Sequence, residues 1–219
     1  MKQILNQKLS STDILNIFIE QHKLLSPFDP EADPYAELNF NSTIKDWRDA
    51  NDLVEWDKLY PFYNQEFEIN ATHEEWEAVL VPASKKYLKD VCELIAKHKK
   101  YKDIESIKLL GKECLEAGVF KRFKENLEKE KVDATNIKPS SLLSDYLDKY
   151  LVEITSEILF LSKGKRFIEK IEMTRKKKGF LNYINIFDKD RFIYSIPNIE
   201  TFRDLILKII EIDKVNTIA

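Results

Sequence analysis

Glycine is scarce in this chain, with only four among 219 residues. A phosphate-binding Walker loop and a dinucleotide fingerprint each need glycines at fixed spacing, because the backbone must turn tightly and approach the phosphates closely. The sequence also contains no Gly-x-Ser-x-Gly nucleophile elbow. These absences exclude the recognisable forms of nucleotide-binding enzymes and of α/β-hydrolases.

Cysteine is almost absent, since Cys92 and Cys114 are the only two. Both fall among apolar residues at helical spacing, which predicts buried free thiols rather than a disulfide framework. A reactive thiolate needs an electropositive, partly open setting, so core packing is the favoured interpretation of both. Free thiols suit a reducing compartment, and we therefore expect a cytoplasmic protein.

The three histidines offer little for a metal site. His73 opens the sequence HEEWE, which contains half of the zinc-protease pattern, but the residue four positions on is Glu77 instead of a second histidine. A zinc site needs three or four ligands, and no other histidine lies near in the sequence. We expect His73 and Glu77 to stabilise the start of a helix, with neither a metal nor another cofactor.

Long hydrophobic runs are also missing. Charged or polar residues interrupt every apolar run well before the roughly 18 residues that a bilayer span requires, and the first residues contain no apolar core of a signal peptide. We therefore expect no membrane partner. What the chain does contain is 43% hydrophobic residues, with 13 Phe, 9 Tyr and 3 Trp, which predicts a folded globular protein.

The sequence DPEADP places Asp29, Glu31 and Asp33 at alternate positions, interspersed with two prolines. A calcium loop of the EF-hand type uses oxygen ligands at alternate positions, but it also needs a glycine at the sixth position and a glutamate at the twelfth. Counted from Asp29, those positions hold Pro34 and Phe40. The sequence therefore predicts an acidic, proline-stiffened surface turn.

Apolar residues at helical spacing predict a mainly helical fold for the first two-thirds of the chain. Thr72 and Glu75 form the pattern of a capping box, which marks a helix start. The aromatic segment LYPFYNQEFEI, interrupted by Pro61, is predicted to be a loop or a short strand. The predicted helices are 12–24, a helix capped by Thr43, 74–80, 83–98, 104–130 and 139–161.

The last quarter of the chain has a different composition. Asp188, Lys189 and Asp190 separate two runs rich in Ile, Phe and Tyr, which predicts a β-hairpin at about 180–196, followed by a helix at 199–213. The predicted fold class is mainly α with a small α+β C-terminal portion. We expect the two parts to be 1–163 and 164–219, with the second packed on the first rather than independent.

Charge is segregated along the chain. Residues 1–80 contain 16 acidic and 6 basic residues, a net charge of −10, whereas residues 81–219 contain 22 acidic and 29 basic residues, a net charge of +7. Such asymmetry indicates either a charged partner or two halves that face each other in the fold.

The most distinctive composition lies in segment 46–77, where aromatic residues are mixed with acids. Exposed Trp and Tyr side chains would form a groove for a basic or amide-rich partner, because these residues are strong interface anchors. Two alternatives stay open: the aromatics are core with the acids as a solvated rim, or the carboxylates, with or without His73, perform acid–base chemistry. The predicted partner-binding residues here are Trp47, Trp56, Tyr60 and Tyr63.

A second charged segment runs from Lys163 to Lys178, with eight basic and two acidic residues. Basic residues beside aromatics are typical of surfaces that bind phosphate backbones and stacked bases. An overall pI of about 5.8, and the lack of any RNA-recognition, KH or helix-turn-helix signature, favour a solvated turn instead. The predicted partner-binding residues here are Lys165, Arg166, Arg175, Lys176, Lys177 and Lys178.

The missing catalytic set and the segregated charge together favour a non-catalytic protein-binding or regulatory module, such as an immunity protein, an assembly factor or a regulatory subunit. Its expected partner is another protein. The alternatives are nucleic-acid binding through 163–178 and an enzyme of unfamiliar type that uses carboxylates in 46–77.

Overall fold

The computed structural model describes residues 4–100, 102–175 and 192–215. Within them the chain is mostly helical with a small β portion, which confirms the predicted fold class. The helices are α1 (Ser11–Leu25), α2 (Ile44–Ala50), α3 (Trp56–Glu66), α4 (His73–Leu80), α5 (Leu88–His98), α6 (Leu115–Lys129), α7 (Ser144–Leu147), α8 (Leu151–Ser162) and α9 (Phe202–Val215). The strands are β1 (Ile4–Leu5), β2 (Ile104–Glu105), β3 (Ile107–Leu109), β4 (Lys112–Cys114), β5 (Glu172–Arg175) and β6 (Phe192–Ser195), and they form three antiparallel pairs in chain order.

Capping boxes begin several of the helices. The hydroxyl of Thr72 accepts a hydrogen bond from the backbone N–H of Glu75, and the Glu75 side chain accepts one from the N–H of Thr72, as predicted. The same reciprocal pair occurs where Ser10 precedes α1 and where Thr43 precedes α2. Each such cap stabilises a helix by about 1 kcal/mol, which explains why short sequence patterns predict these boundaries well.

The aromatic segment around Pro61 was predicted as a loop or short strand, and that prediction is wrong, because the segment forms helix α3 with Pro61 inside it. Proline lacks the N–H for a helical hydrogen bond and is normally disfavoured there. In α3, however, Leu59 and Tyr63 are buried on the core while Pro61 is exposed. Burial of the apolar face outweighs the local cost of the proline.

The prediction of a single helix over 104–130 is also wrong for residues 104–114. The chain instead forms β2, then the β3–β4 hairpin, and only then α6. Leu110 and Gly111 both have positive φ angles, of 48° and 81°, which close a tight turn that a helix cannot contain. Cys114 therefore ends a strand and is half-buried, whereas Cys92 is buried on a helix as predicted.

Gly118 has a packing role in this region. A Cβ atom on Gly118 would lie 2.2 Å from the carbonyl oxygen of Glu105, so the absence of a side chain lets β2 lie directly against α6. Gly118 therefore permits close packing of the strand on the helix.

Two other predicted helices are shorter than expected. Helix α5 starts at Leu88 rather than at 83, because the N–H of Ile44 donates to the carbonyl of Lys86 and the N–H of Leu88 donates to the carbonyl of Ser42, both at 2.9 Å. These bonds tie the preceding turn to the start of α2. The predicted helix at 139–161 is split into α7 and α8, and it ends where Gly164 adopts a φ of 64°.

The C-terminal part agrees with the sequence only in part, because strand β5 at 172–175 was not predicted. Strand β6 lies within the predicted hairpin range, and it pairs with β5 so that Arg175 lies opposite Phe192. The predicted first arm and its turn at Asp188–Asp190 lie outside the described residues. Helix α9 forms close to its predicted range and packs against α6 and α8.

Helix α1 occupies the centre of the fold, between α5 and α8. An aromatic cluster extends from it: Phe18 packs on Trp47 with ring centroids 5.0 Å apart, and Trp47 stacks on Tyr63 at 5.5 Å. Trp76 continues the cluster on the other side of Tyr63 at 6.3 Å. None of the helices in the described residues is both long enough and apolar enough to span a bilayer.

Candidate functional site: an apolar groove with an acidic rim

A groove of about 490 Å³ opens where the C-terminal end of α1 meets α2, α3, the start of α8 and strand β6. Its walls come from segments that are far apart in sequence. Phe28 and Tyr194, for example, contact each other edge to face with ring centroids 5.3 Å apart, although most of the chain separates them in sequence. The principal apolar residues that line the groove are Phe28, Trp47, Phe62, Tyr63, Val152 and Tyr194.

Trp47 and Tyr63, two of the predicted partner-binding residues, form the floor of this groove. They are only 2% and 5% exposed, so they lie in the core rather than project from the surface as the sequence analysis expected. Phe62 and Val152 stand at the lip and are about half exposed, at 49% and 51%. The groove thus has a rigid aromatic floor and accessible apolar edges.

Trp56 and Tyr60, the other two predicted aromatic residues, lie elsewhere. Their rings pack on His73 at centroid distances of 4.9 Å and 5.5 Å, and both are half-buried. The structure therefore brings together two of the four predicted aromatics at the groove and places the other two in a separate cluster.

Ser26, which lines the groove, carries a polar atom without a partner. Its hydroxyl is buried and makes no hydrogen bond to any described residue. Nearby, Asn51 is satisfied, because its amide donates to the carbonyl of Trp47 at 2.9 Å and its oxygen contacts the His22 ring at 3.0 Å. A buried hydroxyl without a partner costs free energy, but the Ser26 oxygen is enclosed by protein atoms and does not face the groove.

Carboxylates lie next to one end of the groove. Asp29 lines it, and the exposed residues Glu31 and Asp52 are sequence neighbours of other lining residues. Hydrogen bonding to Asp52, followed by charge repulsion from Asp52 and Asp29, raises the pKa of Glu31 above its ordinary value. This proximity joins the DPEADP turn to an acidic residue at the end of α2, and we call Asp29, Glu31 and Asp52 the acidic rim.

The DPEADP turn is held by its own side chains, as a proline-stiffened surface turn should be. Asp29 accepts a hydrogen bond from the N–H of Glu31, and Asp33 accepts one from the N–H of Tyr35, each at 3.0 Å. Among the described residues no group of three or more His, Cys, Asp or Glu side chains is arranged to hold a metal ion. The turn therefore presents negative charge without the geometry of a calcium loop.

A second cavity, of about 110 Å³, contains the most strongly perturbed carboxyl groups. Burial raises the pKa of Glu66 to about 7 and that of Glu157 to about 8. Glu157 accepts a hydrogen bond from the Asn126 amide at 2.9 Å. Burial also lowers the pKa of Lys99, whose ammonium lies 3.7 Å from a carboxylate oxygen of Glu68. We call this cavity the charged cleft.

The carboxylates of segment 46–77 do not converge on one point. Asp46 caps α2, Asp49 pairs with Lys45 at 2.7 Å, and Glu55 pairs with Arg48 at 3.1 Å. Of the acids in that segment, Glu66 and Glu68 line the charged cleft, whereas His73 lies with the separate aromatic pair. Glu157 was not anticipated as a site residue, although a glutamate inside the apolar run ITSEILFL was a signal in the sequence.

The basic segment is partly neutralised where it is described. Lys163 and Lys165 both form ion pairs with Asp213, at 3.4 Å and 3.3 Å. Lys170 pairs with Glu172 at 2.7 Å, and Arg166 is exposed. Arg175 ends strand β5, and the predicted residues Lys176, Lys177 and Lys178 lie outside the described residues.

Comparisons of this chain with protein-family models, with curated proteins and with solved structures find no match.

Proposed function

We propose that this protein is a non-catalytic binding module that holds a basic, apolar polypeptide segment in the groove. One observation carries the proposal: an aromatic-floored groove of about 490 Å³ has three neighbouring carboxylates at one end. Apolar pockets with a few well-placed polar groups are typical of binding sites. The proposed partner is therefore another protein.

The acidic rim supports a cationic partner. A hydrogen bond with Asp52, followed by charge repulsion from Asp52 and Asp29, raises the pKa of Glu31, so negative charge is concentrated at this end of the groove. A lysine or arginine side chain placed between them would replace this repulsion by attraction. Each exposed ion pair of that kind contributes about 0.2–1 kcal/mol, and the charge also steers the approach of the partner.

The walls of the groove support a polypeptide. Phe62 and Val152 at the lip provide exposed apolar area next to the buried floor, which suits insertion of aliphatic or aromatic side chains. The proposal includes a cytoplasmic location, which is supported by the two free cysteines.

The two alternative functions have weaker support. Nucleic-acid binding depends on positive charge in 163–178, and several described lysines there are paired with Asp213 or Glu172. Catalysis by carboxylates of 46–77, with or without His73, would need several of them to converge, and of these acids only Glu66 and Glu68 line the charged cleft, with His73 elsewhere.

The experiment that tests this proposal is fluorescence anisotropy with a labelled peptide of alternating leucine and lysine residues. We expect saturable binding to the wild type, and binding about tenfold weaker to the double variant Glu31→Gln/Asp52→Asn, which removes charge from the rim and preserves its shape. Phe62→Ser should also weaken binding, because it removes apolar area at the lip.

The matched control is Glu77→Gln/Glu128→Gln, which removes the same charge from two exposed residues that do not line the groove. We expect this control to bind like the wild type. If both double variants weaken binding equally, attraction is due to net charge alone. Unchanged binding in Glu31→Gln/Asp52→Asn and in Phe62→Ser would overturn the proposal.

A further inference from the structure

The tip of the β3–β4 hairpin presents two leucines to solvent. The side chain of Leu110 is fully exposed and that of Leu109 is 49% exposed. A hairpin tip normally carries polar residues, because nothing at a turn buries an apolar side chain. Two adjacent exposed leucines at a projecting turn are therefore an apolar feature that the fold of this chain leaves uncovered.

The backbone at the tip makes the choice of leucine more unusual. Leu110 and Gly111 are the two central residues of the turn, and both have positive φ angles, of 48° and 81°. Two-residue turns of this type prefer Asn, Asp or Gly at the first position, since a Cβ atom is disfavoured there. A leucine that is both conformationally disfavoured and fully exposed contributes nothing to folding that we can identify, and this favours a role in binding.

The surroundings of the tip are weakly basic. Lys108 and Lys112 flank the two leucines, and both are exposed. Lys108 lies opposite Glu113 in the hairpin, and Glu113 accepts a hydrogen bond from the Ser106 hydroxyl. Lys112, Lys214 and Glu116 line a depression beside the hairpin. The three lysines against Glu113 and Glu116 leave one net positive charge around the apolar tip.

We infer that the groove of one copy of this chain receives the Leu109–Leu110 tip of a second copy, with Lys108 and Lys112 against the acidic rim. The inference rests on the proposed function, because it names the segment that the groove holds. Its basis is complementarity in two respects: apolar tip with apolar groove, and basic flanks with three carboxylates.

The geometry of such a contact is heterologous. The groove is built from α1, α2, α3, α8 and β6, whereas the tip belongs to β3 and β4, and the two share no lining residue. Each pair of copies therefore leaves one groove and one tip unused, so that association continues into larger assemblies or closes into a ring. The expected solution behaviour is a mass that rises with protein concentration.

Sedimentation velocity of the full chain over a range of concentrations tests the inference. We expect the wild type to associate and Leu110→Asn to stay monomeric. Asparagine suits the turn better than leucine, so this variant should melt at the same temperature as the wild type or higher. Loss of association with no loss of stability separates a binding role of Leu110 from a structural one. Leu142→Asn, at another half-exposed leucine, is the control and should associate like the wild type.

A mixing experiment identifies the surface that receives the tip. A groove variant, Phe62→Ser/Glu31→Gln/Asp52→Asn, keeps the tip and should be monomeric alone. Mixed with Leu110→Asn, which keeps the groove, it should form a 1:1 heterodimer, since only one tip and one groove remain functional. Association of the groove variant with itself would show that the tip docks elsewhere and would overturn the inference.

Three further outcomes would count against docking of the tip in the groove. A wild type that is monomeric at every concentration, a Leu110→Asn variant that still associates, or a mixture that stays monomeric would each overturn the inference. Binding of the labelled leucine–lysine peptide then tests the proposed function of the groove separately from self-association. Peptide binding in the groove without self-association leaves the proposed function standing, whereas failure of both experiments removes both.

Discussion

The indole of Trp47 stacks on the ring of Tyr63, with ring centroids 5.5 Å apart and 29° between their planes, and together they form the floor of the groove. The stack connects the core to the candidate site, because Trp47 also packs against Phe18 of the central helix α1. The floor is therefore as rigid as the core itself, and a ligand meets a surface that is already formed.

The first prediction concerns the stability that this stack provides. Trp47→Ala should lower the free energy of unfolding by about 3–5 kcal/mol, because it empties a fully buried site. Trp56→Ala should cost less, since Trp56 is only half-buried. Urea denaturation followed by circular dichroism measures both. Equal losses in the two variants would contradict the assignment of Trp47 to the core and Trp56 to the periphery.

The second prediction concerns pH and the charged cleft. Burial raises the pKa of Glu66 to about 7 and of Glu157 to about 8, from an ordinary value of 4.5. At a pH between 4.5 and the raised pKa, each of these carboxyl groups holds a proton in the folded state that it has lost in the unfolded state. The free energy of unfolding therefore falls as pH rises. The fall should extend from about pH 4.5 to about pH 8, and denaturation at several pH values within this range measures it.

Glu157→Gln should flatten this pH dependence and make the protein more stable than the wild type at pH 8, because glutamine remains neutral and still accepts a hydrogen bond from Asn126. Glu128→Gln is the control: Glu128 is exposed and does not line the cleft, and the slope should not change. A wild-type slope in Glu157→Gln would show that Glu157 is ionised in the folded protein at neutral pH.

The third prediction concerns the contact between β2 and α6. Gly118→Ala should destabilise the protein, although alanine is normally preferred over glycine in a helix by about 1 kcal/mol. Its methyl group would lie 2.2 Å from the Glu105 carbonyl oxygen, and that backbone cannot move without separating β2 from the helix. Thermal denaturation measures the effect, and a variant as stable as the wild type would mean that β2 is not held against α6.

The fourth prediction concerns Pro61 within α3. Because Pro61 is exposed and Leu59 and Tyr63 already bury the apolar face, Pro61→Ala should restore a helical hydrogen bond and raise stability by about 1 kcal/mol. The gain is smaller than the full helix penalty of proline, since alanine also gives the unfolded chain more freedom. A loss of stability in chemical denaturation would show that Pro61 fixes the backbone geometry of α3.

The sequence predicted those features that depend on neighbouring residues. The capping box at Thr72 and Glu75 is correct, because it needs only residues three positions apart. The helix at Pro61 and the hairpin at Gly111 were predicted wrongly, because in both places the local sequence pattern indicates a structure that the fold does not adopt. Long-range burial of Tyr63 outweighs the local signal of Pro61, whereas at Gly111 an apolar helical pattern concealed a tight turn.

The candidate site was predictable only in part. Trp47 and Tyr63 were selected from their composition, but their position in the floor follows from packing against α1. The acidic rim joins Glu31 to Asp52 across α2, and the walls bring Phe28 next to Tyr194. Such pairs are far apart in sequence, and no periodic pattern indicates which of them will meet in space.

The most direct test of the groove is a set of two-dimensional 1H–15N NMR spectra during titration with the leucine–lysine peptide. The chain contains three tryptophans, whose indole N–H signals report three places in the fold. Trp47 lies in the groove floor, Trp56 lies beside His73, and Trp76 is buried with its indole donating to Asn64 at 3.0 Å. The signals are assigned by Trp47→Phe and Trp56→Phe.

We predict that the Trp47 indole signal shifts in proportion to bound peptide, that the Trp56 and Trp76 signals stay in place, and that the Trp47 shift is reduced in Glu31→Gln/Asp52→Asn at equal peptide concentration. A spectrum in which the Trp47 signal does not move while the Trp56 signal does would contradict the account and would place binding at the cluster around His73.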